Sequence, residues 1–143
     1  MKFSLIFSSL AVLLTPIHAQ LTASYDTQYD NSSQSLSTVA CSDGPNGLLT
    51  RGFTTFGSLP NFPLIGGAPA VTGYDSPGCG TCWELTYVNA QGISTSINIL
   101  AIDVATDYNI ALEAMNELTD NQATFLGRVP VTAISVAPSA CGL

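Results

Sequence analysis

Four cysteines, Cys41, Cys79, Cys82 and Cys141, constrain this 143-residue chain more than any other feature. An even count behind an export leader implies two disulfides and a fold held by cross-links. Four cysteines allow three pairings, and spacing alone does not choose among them. The segment 41–77 lies between two of them and is so rich in Gly and Pro that it excludes long regular elements, apart from a helical turn at 46–50. A structureless stretch of that size is unusual in a compact domain unless it is functional or stapled. The flanking cysteines make stapling the natural reading.

Cys79-Gly80-Thr81-Cys82 also has the C-x-x-C spacing of thiol oxidoreductases and of half a zinc site. In the redox fold that motif opens a helix, whereas Trp83 onward reads as strand. The mature chain also has no Lys or His to lower a thiol pKa. Zinc would need a second pair or a His, and neither is present. The cysteines are therefore expected to be structural, with no metal and no cofactor.

The leader is read from residues 1–19. Lys2 precedes an apolar run over 3–14, Pro16 follows, and small Ala19 stands where a signal peptidase would cut. The run is shorter than the roughly 18 residues of a membrane span. The expected organisation is a signal peptide at 1–19 and one domain at 20–143, exported and without membrane insertion.

Removal of the leader takes Lys2 and His18 with it. Arg51 and Arg128 are then the only cations, against ten carboxylates. Nucleic acid is excluded as a partner, because phosphate binding needs clustered Lys and Arg. Anionic membrane surfaces would repel such a chain. Without His or Lys there is no Ser-His or Cys-His nucleophile pair and no Schiff-base lysine. Catalysis would have to rest on carboxylates alone. With 9% charged residues, the surface is solvated by hydroxyls and amides, which suits a neutral polyhydroxyl partner.

The regular elements read as short strands. Candidates are 21–25, 35–40 and a hairpin of 83–88 and 93–102 turning through Asn89-Ala90-Gln91-Gly92. Between the first two lies an Asn31-Ser32-Ser33 glycosylation sequon. In 93–102 one face is core, while the other grows apolar towards Asp103. Residues 109–118 have helical apolar spacing, with Asp107 or Asn109 as cap. A last strand at 127–137 carries Pro130, which marks an edge or a bulge. About six short strands and one helix point to a small β-barrel.

Several segments together resemble the cerato-platanin family of small secreted fungal proteins. They are Ser24-Tyr25-Asp26, Val39-Ala40-Cys41-Ser42-Asp43-Gly44-Pro45-Asn46-Gly47-Leu48, Gly73-Tyr74-Asp75-Ser76-Pro77-Gly78-Cys79-Gly80-Thr81-Cys82-Trp83, Ala101-Ile102-Asp103 and Tyr108-Asn109-Ile110. The resemblance spans about residues 21–141. It implies a mainly β fold with short helices, a six-stranded double-psi β-barrel related to the first domain of expansins and to one endoglucanase family. It implies disulfides 41–79 and 82–141. It further implies binding of chitin-type oligosaccharides, expansin-like loosening of wall polysaccharide without bond cleavage, and elicitation of plant defence through a plant receptor. The expected location is extracellular or in the fungal cell wall. Two departures stand out: Tyr74 and Tyr108 occupy positions where the family more often has Trp and Phe, and residues 104–107 lack its usual glycines.

Carried over by motif, Asp103 is the acid of a shallow groove, with Asn109 and the pairs Tyr25-Asp26 and Asp75-Ser76 near it. Asp103 ends an apolar strand, where an unpaired buried carboxylate would be costly. It must face solvent or accept hydrogen bonds. A carboxylate holds sugar hydroxyls by charge-assisted bonds, and Tyr25, Tyr74 or Tyr108 could offer a ring face to a pyranose. The ordinary alternatives are a solvated strand-end Asp, turn-bonded Asp26 and Asp75, and core tyrosines. Trp83, beside a cysteine, reads as core.

Two further functional classes remain from the sequence. One is a surface-active structural protein of the fungal wall, compatible with few charges and 46% hydrophobic residues. The other is a weak inverting glycoside hydrolase, which needs two acids roughly 6.5–9.5 Å apart. Asp103 could be one, and Asp26, Asp75, Asp107 or Glu84 the other. Non-catalytic polysaccharide binding is the reading preferred over both.

Overall fold

Alternation in the best-defined hairpin explains the centre of the molecule. In a computed structural model that describes residues 19–143, β3 (Cys82–Val88) and β4 (Ser94–Val104) pair antiparallel, with Leu85 opposite Ile97 and Trp83 opposite Ile99. Asn89 Oδ1 closes the connecting turn by accepting the N–H groups of Gln91 at 3.0 Å and Ile93 at 2.9 Å. Ile99, Leu100, Ala101 and Ile102 are all fully buried, so the second half of β4 is covered on both faces, as the sequence leads one to expect. The proposed leader falls almost wholly outside the described residues.

Seven strands form one mixed sheet. The others are β1 (Thr22–Tyr25), β2 (Ile65–Ala68), β5 (Tyr108–Ile110), β6 (Arg128–Pro130) and β7 (Thr132–Val136), in the order β6-β1-β5-β2-β4-β3-β7. The pairs β1/β5 and β2/β4 are parallel. The expected count was six. The count differs because residues 35–40 form no strand, β2 and β5 were not expected, and the last expected strand is broken at Val131, one residue after Pro130, which has no N–H for a ladder. The two ends of the sheet order are thus neighbours in sequence. Val131 N–H donates to the Leu21 carbonyl at 2.9 Å, so one continuous segment pairs with β1 at its start and with β3 at its end.

Two expected elements differ. Residues 35–40 form a 3-10 turn at Leu36–Thr38, because the Ser35 hydroxyl accepts the Ser37 N–H at 3.2 Å and pulls the chain into a local bond. The helix begins later than its apolar spacing indicates: α1 is Leu112–Thr119, and Tyr108–Ile110 is strand. Neither Asp107 nor Asn109 caps it. Asp30 does, with Oδ2 accepting from Leu112 N–H at 2.8 Å and Oδ1 from Glu113 N–H at 2.9 Å. A short α2 (Ala123–Leu126) follows.

The Gly- and Pro-rich segment conceals β2, which is wholly buried between β4 and β5. Only glycine fits there: a Cβ on Gly66 would stand 2.4 Å from the Asn109 carbonyl oxygen. Disulfides join Cys41 to Cys79 and Cys82 to Cys141, the pairing the resemblance implies. The rest of the segment contributes Leu48, Phe56 and Leu59 to the core, where Ala114, Met115 and Leu118 of α1 also pack.

Candidate functional site

Strand register assembles a polar row across five strands. Asp103 of β4 lies opposite Gly67 of β2, Gly67 opposite Asn109 of β5, Asn109 opposite Ser24 of β1, and Ser24 opposite Arg128 of β6. The residues beside this row, Ala23, Tyr108, Ile110 and Val129, are buried. Alternation therefore sends the row to the outer face. Gly67 is buried beneath the 104–105 link, where a Cβ would stand 2.9 Å from the Ala105 methyl. Beside it opens a cleft of about 370 Å3, with Ser24, Asn109 and Arg128 on one side and the 104–107 link on the other.

The cleft is polar and nearly charge-compensated. Ser24 Oγ donates to Asn109 Oδ1 at 3.2 Å, which turns the Asn109 amide N–H groups away from it, and among the described residues nothing accepts from them. Arg128 pairs with Asp107 at 3.5 Å and donates to Thr22 Oγ1 at 2.6 Å. Asp107 Oδ1 also accepts the Thr22 N–H at 3.2 Å, which ties the 104–107 link to β1.

Asp103 meets both conditions that its position imposes. It keeps partial exposure, and its oxygens accept three hydrogen bonds: from Tyr29 OH at 3.1 Å, Ala40 N–H at 2.9 Å and its neighbour Val104 N–H at 2.9 Å. Burial, and then the Asp103 charge, push the Tyr29 phenol far above its ordinary value of 10.0. Asp103 thus stands at one end of the row, fixed by the chain segments 27–30 and 40.

The other expected site residues divide. Tyr25 is half-buried against the core and pairs with Ile110. Asp26 caps the turn Thr27–Asp30, accepting the Gln28 N–H at 2.9 Å. Asp75 and Ser76 lie on another loop, outside the cleft. Asp75 has φ 53° and accepts the Asn46 N–H at 2.8 Å, while Ser76 is buried and accepts N–H groups from Thr72 and Gly78, each at 3.2 Å. Tyr108 is buried against Trp83, which pushes its phenol up to about 12. Tyr74 is 64% exposed beside Asp43, whose carboxylate raises its pKa. Asn31 of the sequon is exposed, and its Oδ1 accepts from Ser33 Oγ at 2.8 Å. Gly67 and Tyr29 did not stand out in the sequence, and Ser24 and Arg128 were not expected at the site. Only the outward alternation of Ser24 in a strand could have pointed to one of them. Among the described residues, no group of three or more His, Cys, Asp or Glu side chains could hold a metal ion.

A small, mainly β protein with two disulfides and a shallow polar face is the class these features define. Residues 21–143 match the cerato-platanin family model, and the chain belongs to the cerato-platanin family. It is 50% identical over 126 residues to the allergen Asp f 15 homolog of Arthroderma benhamiae, covering 88% of this chain but only 60% of that relative. It is 44% identical to the heat-stable 19 kDa antigen of Coccidioides immitis, over all of this chain and 99% of the relative. The crystal structure of cerato-platanin 1 from M. perniciosa superposes with a TM-score of 0.82 at 45% identity, covering 85% of this chain and 98% of that one. The solution structure of the fungal elicitor cerato-platanin gives 0.74 at 37% identity, covering 85% and 96%. Family members thus carry names of allergens, antigens and elicitors. The two disulfides fit an oxidising compartment. No helix among the described residues is long and apolar enough to cross a membrane.

Proposed function

We propose that this protein is secreted and binds cell-wall polysaccharide, N-acetylglucosamine oligomers above all, without cutting it. Its sugar site is the cleft beside the row Asp103–Gly67–Asn109–Ser24–Arg128. The observation that carries the reading is that Ser24, Asn109 and Arg128 of this row line one cleft with Asp107, bringing hydroxyl, amide, guanidinium and carboxylate groups together, with the Asp103 carboxylate at the far end of the row. Such groups exchange hydrogen bonds with sugar hydroxyls, and the charged ones bond more strongly. Competition for hydroxyls between polymer chains would loosen the wall as expansins do. Recognition of the protein by a plant receptor would make it an elicitor, the word borne by one structural relative. The same reading takes the seven-stranded mixed sheet, with its parallel pairs β1/β5 and β2/β4, as a double-psi barrel.

Hydrolysis is not part of this reading. A general acid must deliver a proton to the glycosidic oxygen. Asp103 already accepts three hydrogen bonds, and Asp107 is taken up by Arg128 and Thr22.

The test is amide chemical-shift mapping with an N-acetylglucosamine tetramer, paired with a reducing-sugar assay on the same sample. Saturable shifts at Ser24, Asn109 and residues 104–107, weakened in Asn109→Ala and Asp103→Asn and without new reducing ends, are expected. Unmoved amides in that region would refute the binding reading; sugar release abolished by Asp103→Asn would refute its non-catalytic part.

A further inference from the structure

A second cleft, also of about 370 Å3, opens at the far end of the β3–β4 hairpin. Its walls are Tyr87 and Phe125, with Asn89, Gln91, Asp120 and Gln122 among the polar groups around them. The volume falls within the roughly 300–1,000 Å3 of ligand pockets. Phe125 is 84% exposed, the highest value among the exposed large hydrophobic side chains. An aromatic ring on a four-residue helix, with its surface left in water, contributes little to folding.

The polar groups around it are also largely unused. Among the described residues, the side chains of Gln91, Gln122 and Asp120 have no hydrogen-bond partner within the protein. Asn89 spends only its Oδ1, on the hairpin turn. Asp120 and the next residue, Asn121, hold φ values of 54° and 62°, so two successive non-glycine residues sit in the left-handed region at this rim. At Asp120 this is the left-handed residue that ends α1, its N–H returning to the Asn116 carbonyl, a conformation Asp and Asn adopt at low cost.

From this arrangement we infer a second binding site, for a single neutral pyranose ring of a polysaccharide chain. Aromatic side chains offer the C–H face of a sugar an apolar platform, and amides and a carboxylate take its hydroxyls. The lining holds no cation, so phosphorylated or carboxylated ligands are disfavoured by Asp120. The site shares no lining residue with the first cleft, although the two are neighbours: Leu126 of one and Arg128 of the other stand two residues apart.

Titration with N-acetylglucosamine tetramer and with cellotetraose tests this site independently of the Asp103 cleft. With at least one of these probes, a separate group of saturable amide shifts is expected at residues 89–91 and 120–126. Phe125→Ala should weaken that group about two- to tenfold and leave shifts around Asn109 unchanged. Gln122→Ala should weaken the same group. Shifts confined to the Asp103 row, or a second group indifferent to both substitutions, would overturn the inference while leaving the first site standing.

Discussion

Tyr29 OH donates to Asp103 Oδ2 at 3.1 Å, joining a buried phenol to the acidic end of the polar row across 74 residues of sequence. The ring is also held by Phe56, 6.0 Å away between centroids. Tyr29→Phe would keep that packing and remove only the donor. Hydrogen bonds to charged groups are worth more than neutral ones, so a loss of about 1–2 kcal/mol is expected in chemical denaturation. Oligosaccharide affinity at the neighbouring cleft should fall with it, because the carboxylate beside residues 104–107 then keeps only its two backbone donors.

Alkaline stability should report the same phenol. In the folded protein the Tyr29 pKa lies far above 10.0, and burial raises Tyr108 to about 12. The folded state therefore holds these protons where the unfolded chain has released them. Their contribution is complete below pH 10 and is lost as pH rises through the folded values. Each phenol should steepen the decline by about 1.4 kcal/mol per pH unit over that window. Denaturation midpoints measured from neutral pH to pH 11 should be flat and then fall, and Tyr29→Phe should flatten the fall.

Much of the fold was legible because local and tertiary signals agree. Strand-favouring residues on either side of a four-residue turn gave the β3–β4 hairpin, and the even cysteine count gave two cross-links. Where a distant partner decides, the sequence is silent. Ile65–Ala68 contains two glycines that weaken any strand signal, yet it is central because β4 and β5 both approach it closely. Tyr108 and Ile110 fit a helix as well as a strand, and only their pairing with β1 and β2 settles which. Asp103 and Asn109 were found through a motif. Ser24, Gly67 and Arg128 join them only through register, which no single segment carries.

Capping of α1 from 82 residues away makes that helix depend on the Thr27–Asp30 turn. Asp30→Ala would free the N–H groups of Leu112 and Glu113 in a region that is partly buried. A loss of about 1–2 kcal/mol is expected from thermal or urea unfolding, with Asp30→Ser recovering part of it. Hydrogen exchange at Leu112 and Glu113 should accelerate more than exchange in β3.

The two disulfides close spans of 38 and 59 residues. On chain entropy alone each contributes about 4 kcal/mol, and the longer exceeds the shorter by only about 0.4 kcal/mol. Paired Cys→Ala variants should therefore lose similar stability if entropy dominates. Cys41–Cys79 anchors the glycine-rich segment that carries β2, however, and Cys82–Cys141 anchors only the chain end. A larger loss in unfolding free energy for the first pair is expected, and equal losses would show that the segment needs no anchor.

Gly66 offers the sharpest test of the sheet that carries the site. Its position faces the backbone of β5, and an added methyl would stand 2.4 Å from the Asn109 carbonyl oxygen and 2.7 Å from the Ile110 Cα. Backbone cannot rotate away as a side chain can, so β5 must shift relative to β2. Overpacking of this kind costs about 1–3 kcal/mol, and part of the strain would fall on Asn109 itself. Gly66→Ala should lower the unfolding midpoint and weaken oligosaccharide binding together. Gly92→Ala, where no atom lies within 4 Å but φ is 78°, should lower stability through backbone strain alone and leave affinity at the Asp103 cleft intact.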